Sequence, residues 1–163
     1  MALSQLLTTS LLWLAALGCG LMAGVYFTFS AFVMIALERV GQAHGIAVMN
    51  AINIAIVKSP FMPLFLGTTL ASAALVVIAL LRWNQPGTLV MLASGILYVL
   101  GMFVVTLACN VPLNDALAAV DPSSPAAASV WVHYLKQWTY WNHVRTVAST
   151  AACVLFTAAL AVT

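Results

Sequence analysis

Four stretches of this chain stay apolar over lengths that match the thickness of a lipid bilayer: residues 6–37, 61–81, 88–109 and 144–162. Each is near or above the ~20 residues needed to cross the hydrocarbon core. Lipid offers nothing to satisfy a backbone N–H or C=O, so segments of this kind must be α-helices, and an open sheet is ruled out. The expected fold is therefore all-α, an integral membrane four-helix bundle forming a single domain over residues 1–163. Charged residues make up only 5% of the chain and mean hydropathy is +1.11. Soluble domains carry about a quarter charged residues, so a water-soluble globule is excluded. The net charge of +2 is dispersed, with no run of Lys or Arg, and nucleic acid is not a partner.

The first run, at ~1.5 Å per residue, is roughly 48 Å long and must tilt or project into water. Its start, Met1 to Ser10, lacks the basic residues of a signal peptide and reads as part of a retained span. Gly20 and Gly24 form a small-xxx-small pair, a groove through which helices or a second copy of the chain can approach closely. Cys19, Cys109 and Cys153 fall in or at the end of apolar runs and read as buried thiols. The short segment Trp83-Asn84-Gln85-Pro86-Gly87 is a tight turn that makes spans two and three an antiparallel hairpin.

The other two connections are long and polar. Residues 38–59 carry a helical pattern through Ile46, Met49, Asn50, Asn53 and Val57; residues 110–143 carry a Pro/Ser/Ala break near Asp121 and then a second helical pattern. If the four spans alternate, these two polar helical hairpins lie on one side of the membrane. That side has Arg39, Lys58, Lys136 and Arg145, against Arg82 and the N-terminal amine opposite. The positive-inside rule then places the hairpins in the cytoplasm.

Most of the chemistry is written between Trp131 and Arg145. On a continuous helix Trp138, Trp141, Asn142 and Arg145 share a face that Trp131 and Tyr134 extend. Two readings are open: an interfacial aromatic belt with Arg145 snorkelling to headgroups, or an aromatic slot that stacks a planar ligand while Asn142 and Arg145 hold its oxygens. Arg145 has no carboxylate nearby in sequence, and an intramembrane cation is by default a functional candidate. In Asn110-Val111-Pro112-Leu113-Asn114 the proline predicts a broken helix end, either capped by Asn110 or lining a cavity with Asn114. Asn50 and Asn53 repeat the theme, and the polar-aromatic end of the first span at Tyr26 faces the interior. His44, His133 and His143 show no metal-ligand spacing, so no metal centre is expected, and haem held by a His pair remains an alternative. His143 falls roughly 200° from Arg145 on an unbroken helix.

Taken together, Gly24 to Ser30, Met49-Asn50-Ala51-Ile52-Asn53, Thr106 to Asn114, and Trp138 to Thr146 resemble the anthrone oxygenase-like membrane family over nearly the whole chain. The resemblance implies a bacterial inner-membrane protein. Some fungal members of that family convert anthrones to anthraquinones. It further implies an oxygenase that needs no cofactor, uses dioxygen as co-substrate and acts on a polycyclic phenol. Such chemistry requires a base, a stacking wall and oxyanion donors. His143 or His44 would be the base, Trp138 and Trp141 the wall, and Arg145, Asn142, Asn110 and Asn114 the donors, with Asn50, Asn53 and Tyr26 completing the binding site. A second function class uses the same slot without turnover: a membrane protein that binds a lipid, quinone or haem, or an accessory subunit.

Overall fold

The computed structural model describes residues 3–162, and every regular element among them is helical. Helix α1 is Leu3–Arg39, α2 Gln42–Ile56, α3 Phe61–Leu81, α4 Thr88–Ala118 and α5 Ala127–Val162. All but α2 are long and apolar enough to cross a membrane. They form the expected four-helix bundle: α1 packs on α3 and α5, and α4 closes the ring by packing on the same two helices.

Hydrophobicity cannot drive helices together when the solvent is hydrocarbon, so the seams are made of small residues that let backbones come close. Ala15, Ala16, Ala71, Ala79, Ala148, Ala152 and Ala159 are buried, with Leu12, Leu75, Met22 and Phe156 filling the space between them. Large aliphatic residues point the other way: Leu17, Leu70, Leu100 and Val147 are all more than half exposed, the surface of a protein that meets lipid tails. Of the pair proposed for self-association, Gly20 is used within the chain, where a Cβ would touch Cys153 Sγ at 3.4 Å, while Gly24 faces open space.

Three helices exceed the spans read from hydropathy. Helix α1 runs to Arg39, α4 to Ala118, and α5 begins at Ala127 rather than 144. At ~1.5 Å per residue, α1 is about 55 Å long against a core of about 30 Å, so it projects on the side of the hairpins. Pro112 does not break α4. Residues Thr106–Asn110 switch to the wider π register, in which the Val111 N–H reaches Thr106 O, and Pro112 then sits in the first turn of the next α segment, where no N–H is required.

The projecting ends build a second core. Met34 and Leu37 of α1, Ile46 and Met49 of α2, Leu117 of α4 and Trp131, Tyr134 and Trp138 of α5 form one buried cluster. Gly41 joins α1 to α2 at φ 85°, a conformation that only glycine adopts freely. Four residues on, Gly45 presses against the chain: a Cβ there would meet Trp131 Cζ2 at 2.6 Å and Leu37 O at 2.7 Å. The two polar hairpins therefore meet, and Gln42 Nε2 donates to Pro122 O at 3.4 Å to join their tips. In the turn before α5 the Asp121 carboxylate accepts from the Ser123 backbone N–H and hydroxyl, which hold it below the usual carboxylate range. At the opposite end of the bundle Arg82 Nη1 donates to Thr8 Oγ1 at 3.2 Å.

Candidate functional site

Where the two cores join, α1 and α4 both pass through π turns, at Phe29–Val33 and at Val99–Val104 and Thr106–Asn110. A π turn widens the helix and disturbs the regular pairing of the carbonyls before it. Tyr26 O, one turn before the first, accepts the Asn142 carboxamide Nδ2 at 2.7 Å. The same nitrogen donates to Ser30 Oγ at 2.7 Å, so both amide protons are used on α1. Asn142 is wholly buried, and its Oδ1 accepts from Arg145 Nη2 at 2.8 Å, one turn along α5. A second amide ties α4 to α5: Asn110 Nδ2 donates to Trp138 O at 3.3 Å.

Arg145 is only 5% exposed. Its Nη1 donates to Thr106 Oγ1 at 3.4 Å, and the guanidinium carbon lies 4.4 Å from the Tyr26 ring centre and 5.1 Å from that of Trp138. Two cation–π contacts at roughly 0.5–2 kcal/mol each offset part of the desolvation of the charge. None of its partners is a carboxylate, and the three acids, Glu38, Asp115 and Asp121, are all exposed. Nε has no hydrogen-bond partner. A buried guanidinium with a free donor and no counter-charge is the arrangement an anionic ligand completes. Arg145 is not snorkelling, and it leaves the tally of charges that bear on orientation.

Beside it opens an apolar cavity of about 210 Å³. Tyr26, Trp138 and Arg145 form one wall, Phe29 and Phe65 add rings, Met49, Ile52, Asn53 and Ile56 of α2 form the roof, and Thr106 and Asn114 complete the α4 side. A cavity of ~150 Å³ accepts a single benzene ring, so this one has room for a larger planar system. The Trp138 ring is set by a column along α5, stacked on Tyr134 at 6.0 Å, which stacks on Trp131 at 5.8 Å, and tilted against Phe29 at 5.5 Å. Tyr134 OH donates to Asn114 Oδ1 at 2.8 Å, which fixes that amide with its NH₂ group left for other partners. Trp138 Nε1 is a buried donor without a partner, and Asn53 Nδ2, which lies near the Tyr134 hydroxyl, makes no hydrogen bond of good geometry.

Of the residues read from the sequence, Arg145, Trp138, Tyr26, Asn53 and Asn114 line the cavity. Asn142 and Asn110 lie behind the wall, and the Asn142 donors are already used, so it positions Arg145 and has no proton left for a ligand. Asn50, with its Oδ1 buried and unpartnered, sits beside the roof without lining it. The structure does not bring His143, His44 or Trp141 to the cavity. His143 is exposed among Tyr140 and Lys136 on the outer side of α5, where the helical rotation from Arg145 puts it. His44 is exposed at the start of α2. Trp141 lies about 60° from the centre of the aromatic stripe, enough to turn it half out, where it packs edge-on against Tyr140 at 5.1 Å. His133 is also exposed, and among the described residues no three His, Cys, Asp or Glu side chains come together. Sequence reading missed Thr106, Phe61, Phe65 and the roof residues Ile52 and Ile56. The roof had a signal, since Met49, Ile52, Asn53 and Ile56 recur at helical spacing.

No curated protein and no solved structure matches the chain. A family profile described as Anthrone oxygenase matches residues 56–155, a segment that contains Thr106, Asn110, Asn114, Trp138, Asn142 and Arg145. With well over half of its length matched, including the wall that carries the buried cation, the chain belongs to the anthrone oxygenase family.

Proposed function

We propose that the cavity binds an anthrone-like polycyclic phenol as its enolate or phenolate and directs its oxidation by dioxygen to the quinone. The observation that carries this reading is Arg145: a buried cation without an acid, aimed by Asn142 and flanked by two aromatic faces at the edge of an apolar cavity. An oxyanion answers the charge, and the rings answer the ligand's plane.

The reaction balances without a cofactor, because an anthrone enolate is itself the reductant. Its carbanionic carbon forms a C–O bond to dioxygen, which takes up two electrons and, with a proton, becomes a hydroperoxide. Loss of the remaining C–H proton with cleavage of the O–O bond releases water and leaves the second carbonyl. Arg145 holds negative charge at the ligand oxygen, and Asn53 and Trp138 supply donors nearby. Tyr26 and Arg145 are the titratable side chains that line the cavity, so the first proton goes to water as the ligand ionises and not to a histidine.

His143→Ala and His44→Ala are therefore expected to keep anthrone-dependent oxygen uptake within about twofold of the unmodified protein. A loss of tenfold or more, the size that removal of a general base produces, would place the proton on a histidine instead. Ligand-induced thermal stabilisation without any uptake would support the second reading, a protein that holds a quinone or lipid without turnover.

A further inference from the structure

We infer that the cavity opens sideways into the bilayer, through an apolar mouth between the α2–α3 junction and the π-turned part of α4, and that its ligand is a membrane-dissolved planar ring compound that never crosses from water. This rests on the reading of the cavity as the ligand site. The exposed residues among those lining it are Val57, Leu107 and Val111, and all three are aliphatic. They are 56%, 51% and 37% exposed, so the rim is open. Toward the polar side α2 covers the cavity with Met49, Ile52, Asn53 and Ile56, each buried or half-buried.

Depth places this mouth in lipid. Helix α3, at 21 residues, is about as long as the hydrocarbon core is thick, so Phe61 lies at one boundary and Leu81 at the other. Helix α4 starts from the Leu81 end and runs antiparallel, and Leu107 lies nineteen residues beyond Thr88, at the height of Phe61. Val111 lies one turn further and Val57 just before Phe61, so the mouth straddles the edge of the hydrocarbon, with Leu107 beneath the headgroups and Val57 and Val111 level with them. A phenol-bearing ring system concentrates at that depth, with its rings in the tails and its oxygens toward water. It would enter with its plane already among apolar groups and meet Arg145 inside.

The test uses the whole protein with Trp13, Trp83 and Trp141 replaced by Phe and the rim unmodified, in phosphatidylcholine nanodiscs, with 1,8-dihydroxyanthraquinone, a phenol-bearing planar quinone, as the probe and quenching of the buried Trp131 and Trp138 followed in a stopped-flow instrument. The Leu107→Phe/Val111→Phe protein narrows the rim, and Leu107→Ala/Val111→Ala widens it. The narrowed protein should equilibrate about tenfold more slowly and the widened one faster, the rate of approach and not the final extent of binding being the readout. Val48→Phe, on the exposed polar-side face of α2, should leave the rate unchanged. Binding that proceeds at the same rate in both rim variants overturns the lateral mouth while leaving the site intact, as does slowing by Val48→Phe alone. Absence of quenching in the protein with the rim unmodified overturns the mouth and the site together.

Discussion

Replacing Arg145 with Lys lowers kcat/KM for anthrone oxidation by about 100-fold or more, although the positive charge is kept, because the loss of one oxyanion donor at a preorganised site is typically worth 10²–10³. The guanidinium is a planar fork with three contacts at once: Nη2 on Asn142 Oδ1, Nη1 on Thr106 Oγ1, and its face against Tyr26. Those contacts leave Nε as the donor without a partner. An ammonium cannot divide its donors in this way, and it stacks less well on two rings. Arg145→Gln, which removes the charge, should lose at least as much. Circular dichroism of both variants must show the helical content of the parent for the comparison to count. Parent-like kcat/KM in both would remove Arg145 from the site and the proposed chemistry with it.

Asn142→Ala is expected to damage stability and activity together. The side chain ties α5 to α1 through three hydrogen bonds, since it donates to Tyr26 O and Ser30 Oγ on α1 and accepts from Arg145 on its own helix. Alanine leaves a buried carbonyl without its donor and a buried guanidinium without its acceptor, at about 1–3 kcal/mol for each group stranded. For a chain of this size that lowers the thermal midpoint in detergent by roughly 5–15 °C. Arg145 also loses the contact that aims it, so kcat/KM should fall by about tenfold or more even at temperatures where the variant stays folded. Asn84→Ala, in the exposed turn between α3 and α4, serves as the control and should shift neither quantity. An unshifted midpoint for Asn142→Ala would show that the α1–α5 junction is held by its alanine seam alone.

The bundle was legible in the sequence because the bilayer imposes its length on every span, and residues 61–81 coincide with α3. The ends of α1, α4 and α5 were not, because apolarity stops at the membrane surface while backbone hydrogen bonding does not. The stretch of α5 from Ala127 to His143 is buried on its Trp131, Tyr134 and Trp138 side and exposed at His133 and Lys136, so its amphipathic character masked its continuity with the apolar span. Pro112 pointed to the right place and the wrong geometry, since the π turn absorbs the missing N–H without a break. Within the site the stripe of Trp138, Asn142 and Arg145 followed from helical spacing alone. The division of labour between Arg145, which meets the cavity, and Asn142, which stands behind it, did not. It depends on where α1 places Tyr26 O and Ser30 Oγ, two atoms more than a hundred residues away along the chain. Helical rotation turned His143 away from Arg145, yet the resemblance named it as a base; the structure has it exposed on the outer side of α5 and away from the cavity.

The most direct test of the central claim is dioxygen uptake by the purified, chelator-treated protein in lipid, with an anthrone as substrate and the spontaneous oxidation rate subtracted. The account predicts saturable uptake of one dioxygen for each anthraquinone formed, undiminished by the chelator and reduced about 100-fold in Arg145→Lys, the size expected for a lost oxyanion donor. Uptake no faster than the spontaneous reaction, in a preparation whose thermal midpoint nevertheless rises on adding the quinone, would contradict it and leave a binding protein in its place.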